Sequence, residues 1–179
     1  GAQNADLATT LNNLASVKQS RGDLDGAQEQ FEQALAMKYA VYGEGAQNAD
    51  LASTLHNLAS VKQARGDLDG AQQQYEQVLA MQYAVFGEGA QNADLASTLN
   101  SLATLKQTRG DLDGAQEQYE QALAMKYAVY GEGAQNADLA TTLNNLASVK
   151  QSRGDLDGAQ EQFEQALAMK YAVYGEGAQ

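Results

Sequence analysis

A single unit of 44 residues is written four times along this chain of 179 residues. The first and fourth copies are identical, whereas the second differs from the first at eight positions and the third at six. A fixed period of this size is typical of stacked repeat arrays, in which each repeat buries its apolar face against its neighbours. We therefore expect one solenoid domain over 1–179, with repeats at 1–44, 45–88, 89–132 and 133–176 and the start of a truncated fifth repeat at 177–179.

The first half of each repeat predicts an amphipathic helix. In repeat one, apolar residues recur at three- and four-residue spacing over 7–17, which is the period of one face of an α-helix. Asn4 is a favourable N-cap residue, and Gly22 can adopt the left-handed conformation that ends a helix. We expect this helix, named helix A, over about 5–20.

The second half of each repeat predicts a longer helix. Asp23 or Asp25 can cap its start and Gly43 can end it, and the apolar residues between them again recur at helical spacing. We expect this helix, named helix B, over about 24–42, with Phe31 as its bulky core residue. No segment alternates between apolar and polar residues, so we expect no strand.

The composition excludes several classes of protein and of site. The chain has no cysteine, which removes disulfides and thiolate metal sites. Its net charge of −12 is shared evenly among the repeats, whereas nucleic acids and anionic membranes require clustered Lys and Arg. No apolar run is long enough to span a bilayer. We therefore expect no nucleic-acid or membrane partner and a cytoplasmic location.

The residues of both helices resemble the tetratricopeptide repeat (TPR). Leu11, Leu14 and Ala15 are similar to its helix-A pattern, residues 22–27 to its turn, and residues 31–35 to its helix-B pattern. All four repeats match, so the resemblance covers the whole chain. It implies an all-α fold, a right-handed α-solenoid superhelix of four helix-turn-helix repeats. It also implies a non-catalytic scaffold for protein–protein interaction.

The longer repeat of kinesin light chains is more similar still. Residues 9–15 resemble the helix-A signature of that subfamily and residues 6–8 its helix entry. Two features depart from the pattern. The loop 43–48 lacks the usual proline, and Lys18 stands where an aromatic residue is usual, which leaves Val17 to fill the core.

The resemblance implies that helix A lines the concave face of the superhelix. Five of the eleven positions that vary among the repeats lie on the polar side of this helix. Asparagine side chains there can pair with the backbone of an extended peptide, and the absence of Lys and Arg argues against the cargo specificity of kinesin light chains. The alternative is a polar, solvated stripe without a ligand. The candidate groove residues are Thr9, Asn12, Asn13, Ser16, Gln19, Ser53, His56, Asn57, Ser60, Gln63, Ser97, Asn100, Ser101, Thr104, Gln107, Thr141, Asn144, Asn145, Ser148 and Gln151.

No residue set predicts catalysis, a cofactor site or a metal site. The sole histidine, His56, has serine and asparagine neighbours on its helix face, whereas a metal site or a catalytic base needs several suitable partners. The carboxylates Asp23 and Asp25 recur at every turn, so we interpret them as helix caps. We expect no catalytic residue, no cofactor and no bound metal.

The identity of the first and last repeats gives a second hypothesis. A terminal repeat normally carries a polar outer face. Repeats one and four are identical, so neither is adapted as a terminal repeat. The end surfaces are complementary by construction, and contacts of this kind are heterologous and generate filaments. The alternative to a peptide-binding scaffold is therefore a structural, consensus-like or engineered array that associates end to end and has no specific ligand.

Overall fold

A computed structural model describes residues 2–175, and over these residues the chain consists of α-helices and connecting turns. The helices form two compact units, residues 1–90 and 91–179, which are described separately here. The N-terminal unit contains α1 (Ala2–Ser20), α2 (Leu24–Tyr42), α3 (Ala49–Ala64) and α4 (Leu68–Phe86). The C-terminal unit contains α5 (Ala93–Thr108), α6 (Leu112–Tyr130), α7 (Ala137–Ser152) and α8 (Leu156–Tyr174). The expectation that 1–179 forms one solenoid domain stays a prediction, and residues 177–179 lie outside the described residues.

The predicted helix pair is present in every repeat. Helix B has the predicted bounds, 24–42, and its equivalents begin and end at the same repeat positions. Its N-cap is Asp23, whose Oδ1 accepts a hydrogen bond from the Gly26 N–H at 2.9 Å, while Asp25 lies in the first turn. Gly43 ends the helix with a φ of 94°. No strand is present between residues 2 and 175.

The prediction for the start of helix A holds in three repeats and is wrong in the first. Asn48 caps α3 from an extended conformation, and its Oδ1 accepts the Asp50 N–H at 2.7 Å. Asn92 and Asn136 cap α5 and α7 in the same way. Asn4, in contrast, lies inside α1, which begins at Ala2. The internal asparagines follow a turn that leads out of a helix B, and the described residues before Asn4 contain no such turn.

The core of each unit lies between a helix pair and the helix A that follows it. In the N-terminal unit, Phe31 is fully buried in a cluster with Ala15, Ala27, Leu58 and Val61. Phe31 is therefore the bulky core residue that the sequence predicts. The C-terminal unit repeats the arrangement with a tyrosine in place of this phenylalanine.

The prediction that Val17 fills the core is wrong for repeat one and correct for its equivalents. Val61 and Val149 are fully buried, whereas Val17 is 50% exposed. Val61 and Val149 each pack against the helix B of the preceding repeat in their own unit, and α1 has no preceding helix B among the described residues. Burial at this position therefore depends on the neighbouring repeat.

Candidate functional site

The helices A of consecutive repeats are linked by polar side chains within each unit. The Thr54 hydroxyl donates to Asn12 Oδ1 at 3.2 Å, and the Gln19 amide donates to the Ser60 hydroxyl at 3.1 Å. In the C-terminal unit, Thr142 donates to Asn100 at 3.1 Å, with the same register. The polar sides of α1 and α3, and those of α5 and α7, are therefore adjacent.

These bonds distinguish a first set of candidate groove residues, whose side chains bridge neighbouring helices. Asn12, Asn100, Gln19 and Gln107 are partly buried and bridge neighbouring helices. Such residues hold the helices in register. The structure therefore gives them a structural role that sequence spacing alone does not indicate.

The hydroxyl groups on the same side bond mainly to their own helix. Thr9 donates to the Ala5 carbonyl at 3.0 Å, and Ser16 donates to the Asn12 carbonyl at 3.1 Å. Serine and threonine in helices commonly make this bond to the residue four positions earlier. It occupies the hydroxyl proton and leaves the oxygen as an acceptor.

A second set of asparagines has unused amide groups. Asn13 is exposed, and Asn57 and Asn145 are half-buried. None of their side chains makes a hydrogen bond to another described residue. Each amide carries two donors and an acceptor oxygen with two lone pairs. We name Asn13, Asn57 and Asn145 the open amides.

A tyrosine hydroxyl reaches the polar side of helix A in repeats two and three. Tyr75 donates to Gln63 Oε1 at 3.3 Å, and its ring lies edge-on to His56 with a centroid distance of 5.3 Å. The Tyr119 hydroxyl lies 2.8 Å from that of Thr104. Repeats one and four have phenylalanine at this position, so the hydroxyl is a local addition to an otherwise apolar site.

The environment changes the pKa of two tyrosines in the C-terminal unit. Burial raises the pKa of Tyr119, and the hydrogen bond with Thr104 partly opposes this effect. Burial is also the main cause that raises the pKa of Tyr130, followed by the nearby Asp138 carboxylate. Both phenols are therefore neutral in the folded chain at physiological pH.

A buried lysine is the main feature that sequence reasoning missed. Lys38 Nζ donates to Asp50 Oδ1 at 2.6 Å and to the Thr54 hydroxyl at 2.8 Å, and its side chain is only 3% exposed. The helix dipole favours a cation near the C-terminus of helix B, so a lysine at this position does not by itself indicate a buried group. Its spacing of four residues from the buried Ala34 would have placed it on the core-facing side.

The same polar cluster occurs in the C-terminal unit. Lys126 Nζ donates to Asp138 Oδ1 at 2.7 Å and to the Thr142 hydroxyl at 2.8 Å. We name these groups the lysine clusters. Each joins helix B of one repeat to helix A of the next.

Some of the exposed charges outside these clusters form surface ion pairs. Arg65 pairs with Asp25 of the preceding repeat at 2.7 Å, and Asp25 is 86% exposed. Such a surface pair contributes little to stability. Among residues 2–175 there is no group of three metal-ligating side chains and no helix long and apolar enough to cross a membrane.

The comparisons with known proteins agree with this geometry. The sequence model of the tetratricopeptide repeat family matches residues 6–84, 50–128 and 94–172, in steps of one repeat. This chain belongs to the tetratricopeptide repeat family. No curated protein sequence matches it. The matched family is a repeat family of α-solenoid scaffolds rather than an enzyme family.

Several solved structures resemble nearly the whole chain. BtubC (BKLC) from P. vanneervenii is 29% identical, with a TM-score of 0.82, and the match covers 97% of this chain and 66% of that one. This chain thus spans just under two thirds of that relative. A second structure contains the nearly identical TPR-like repeats of a Podosopora anserina protein named as a kinesin light chain. It is 24% identical to this chain, with a TM-score of 0.70. That match covers 93% of this chain and 76% of the other.

A third structure, MamA, is 18% identical with a TM-score of 0.66, and the match covers 93% of this chain and 81% of MamA. At this identity the similarity concerns the fold alone. The kinesin light chain-like type of repeat, expected from residues 6–15, is confirmed by the structural relatives.

Proposed function

We propose that this TPR chain is a non-catalytic scaffold that binds an extended peptide along the polar side of its helices A. The observation that carries the proposal is the set of open amides, Asn13, Asn57 and Asn145. An asparagine that donates and accepts at once can pair with a peptide backbone N–H and C=O group, as a strand edge does. The partner is therefore a protein segment without regular secondary structure of its own.

The chemistry of the surface limits the kind of peptide. The candidate positions include no lysine or arginine, so a peptide carboxylate or phosphate finds no cation there. The net charge of −12 favours neutral or basic peptides over acidic ones. We expect recognition mainly through the backbone, with weak dependence on the peptide side chains. A cytoplasmic location stays part of this proposal.

Selection from a random peptide library, followed by affinity measurement, tests the proposal. A selected peptide should lose affinity by about 0.5–1.5 kcal/mol for each of Asn13→Ala, Asn57→Ala and Asn145→Ala, since each removes about one net hydrogen bond. Gln121→Ala is the matched control, because Gln121 is an exposed amide on α6 that bonds only to Glu117 of its own helix. Failure to select any peptide, or an equal loss in the Gln121 variant, would contradict the proposal.

A further inference from the structure

The first and last helices expose apolar side chains whose equivalents are buried or partly buried in the other repeats. On α1, Leu14 is 46% and Val17 is 50% exposed, whereas their equivalents Leu58 and Val61 are at most 2% exposed. On α8, Leu167 is 51% exposed. These two surfaces, named the α1 face and the α8 face, have the composition of a repeat interface and are not covered by another helix of the described residues.

The N-terminal unit contains the contact that would cover both faces. There, Leu24, Phe31 and Leu35 of α2 pack against Leu58 and Val61 of α3. The C-terminal unit joins α6 to α7 with equivalent residues. The pairing is thus a property of the repeat sequence, because it recurs at both places.

The two exposed faces carry the same residues as this internal contact. Because repeat four is identical to repeat one, α8 has the residues of α2, with Leu156, Phe163 and Leu167 as the equivalents. The α1 face has Leu14 and Val17 where α3 has Leu58 and Val61. We propose that the α8 face of one chain binds the α1 face of a second copy, in the register that joins α2 to α3.

The lysine cluster supplies a polar group that selects this register. Lys38 of α2 is buried against Asp50 and Thr54 of α3. The equivalents in the proposed contact are Lys170 of one copy with Asp6 and Thr10 of the other, and all three are exposed in the single chain. A shift along the helices would bury the ammonium group without its partners, which is strongly unfavourable.

The contact is heterologous, so it does not end with a dimer. Each joined pair leaves one free α1 face and one free α8 face, and a third copy can add at either end unless the chain closes into a ring. The same register would also place Thr10 of one copy beside Asn144 of the other and Ser16 beside Gln151, whereas the open amides Asn13, Asn57 and Asn145 take no part in the equivalent internal bonds. The association is therefore separate from peptide binding, and either can fail without the other.

Two substitutions, each blocking one face, test the proposal. Leu14→Asp blocks the α1 face and Leu167→Asp blocks the α8 face, with Val17→Asp and Leu156→Asp as second choices if either variant fails to fold. Val129→Asp is the matched control, because Val129 is 39% exposed on an internal helix. Sedimentation velocity is measured at about 0.15 M salt, which screens the repulsion between acidic chains beyond about 8 Å.

The wild-type chain and the Val129 variant should form species that grow with concentration. Each blocked variant alone should sediment as a monomer, its association weakened roughly tenfold or more. An equimolar mixture of the two blocked variants should give a dimer and nothing larger, because it contains one functional α8 face and one functional α1 face. A monomeric wild-type chain, a blocked variant that associates alone, or a mixture that stays monomeric would overturn the proposal.

The dimer formed by the mixture also tests the register. Lys170→Gln is placed in the Leu14 variant, which contributes α8, and Asp6→Asn in the Leu167 variant, which contributes α1. If Lys170 meets Asp6, the two substitutions together should weaken the dimer less than the product of their separate effects. Strictly multiplicative effects would show that the copies join in another register.

Discussion

Polar side chains that lie between helices set the specificity of this structure at the residue scale. A buried ammonium group loses its hydration and must recover the free energy from partners. Lys38 does so with Asp50 and Thr54, and Lys126 does so with the equivalent pair. Apolar residues drive the packing of the repeats, whereas these clusters fix where one repeat meets the next.

Removal of Asp50 should destabilise the chain more than removal of Lys38. Asp50→Ala leaves the buried ammonium group of Lys38 short of a partner and should lower the free energy of unfolding by about 2 kcal/mol, less than for a fully buried pair because Asp50 is 47% exposed. Lys38→Met removes the charge and keeps the packing, so its effect should stay below about 1 kcal/mol. Urea denaturation measures both.

Asp6→Ala is the control for this comparison, because Asp6 has the same sequence context in α1 and makes no bond to a buried lysine of the described chain. It should change the free energy of unfolding by less than about 0.5 kcal/mol. If the Asp50 and Asp6 variants lose equal stability, the lysine cluster is not the cause.

Tyr119 should make the folded chain sensitive to alkali. Burial raises the pKa of this phenol above its ordinary value of about 10. The folded state therefore holds the proton more tightly than the unfolded state, so this stabilisation is complete below pH 10 or so and is lost as pH rises through the folded pKa. Tyr119→Phe should reduce the decrease in the free energy of unfolding between neutral and strongly alkaline pH.

Phenylalanine fits this site, because Phe31 occupies its equivalent in repeat one and is fully buried. At neutral pH the Tyr119→Phe variant should therefore differ from the wild-type chain by about 1 kcal/mol or less, the value of one hydrogen bond. Tyr174→Phe, at a 61% exposed tyrosine, is the control. An unchanged alkaline profile in the Tyr119 variant would contradict the assignment.

The sequence predicts apolar contacts at this scale better than polar ones. Phe31 and Val61 follow from helical spacing, because apolar residues on that stripe are buried wherever a neighbouring repeat covers them. The bond between Thr54 and Asn12 joins residues 42 positions apart, and no local pattern indicates it. The burial of Lys38 is not evident from the sequence, because the helix dipole also favours an exposed lysine near a helix C-terminus.

Helix ends explain most of the regularity at the scale of elements. Each helix B starts at an aspartate whose side chain accepts a backbone N–H three residues on, and ends at a glycine with positive φ. These signals are local, so the bounds 24–42 could be predicted from the sequence. The start of α1 could not, because Asn48 caps α3 only after a turn from the previous helix, and Asn4 has no equivalent turn among the described residues.

The cap and the glycine at the start of α6 should be energetically coupled. A Cβ added at Gly114 would lie 2.2 Å from Asp111 Oδ2, so Gly114→Ala displaces the cap. This substitution should leave the free energy of unfolding unchanged or lower it. Loss of a cap costs about 1 kcal/mol, which offsets the gain from the higher helix propensity of alanine. In an Asp111→Ala background the same substitution should stabilise by about 0.5–1 kcal/mol.

A double-mutant cycle from urea denaturation gives this coupling directly. Gly70→Ala with Asp67→Ala, at the equivalent position of repeat two, should give the same coupling, because the local distances there are the same. An equal gain from Gly114→Ala in both backgrounds would contradict the steric explanation.

Near-identical repeats have two separate consequences at the scale of the whole molecule. Within each unit, the contact between one repeat and the next is built from equivalent residues, which is the basis for the proposed pairing of the α1 and α8 faces. The polar side of helix A varies more among the repeats than the packing side does, and the open amides lie on it. Packing thus depends on what the repeats share, and the proposed peptide binding on a surface where they differ.

The fold class and the repeat type could be predicted from the sequence, because four copies of one pattern reinforce every local signal. The candidate site could be predicted only as a set of twenty residues on the polar sides of the four helices A. Dividing it into bridging residues such as Asn12 and open amides such as Asn13 requires the contacts between helices, since the two asparagines are adjacent in sequence.

The most direct test of the proposed function is to follow the asparagine side-chain amides by NMR while a selected peptide is added. The amide resonances of Asn13, Asn57 and Asn145 should shift with saturation, since these groups pair with the peptide backbone. Those of Gln33, Gln121 and Gln165 on helices B should not shift, because each bonds within its own helix. Shifts confined to the helix-B glutamines, or no shift at saturating peptide, would contradict peptide binding along helix A.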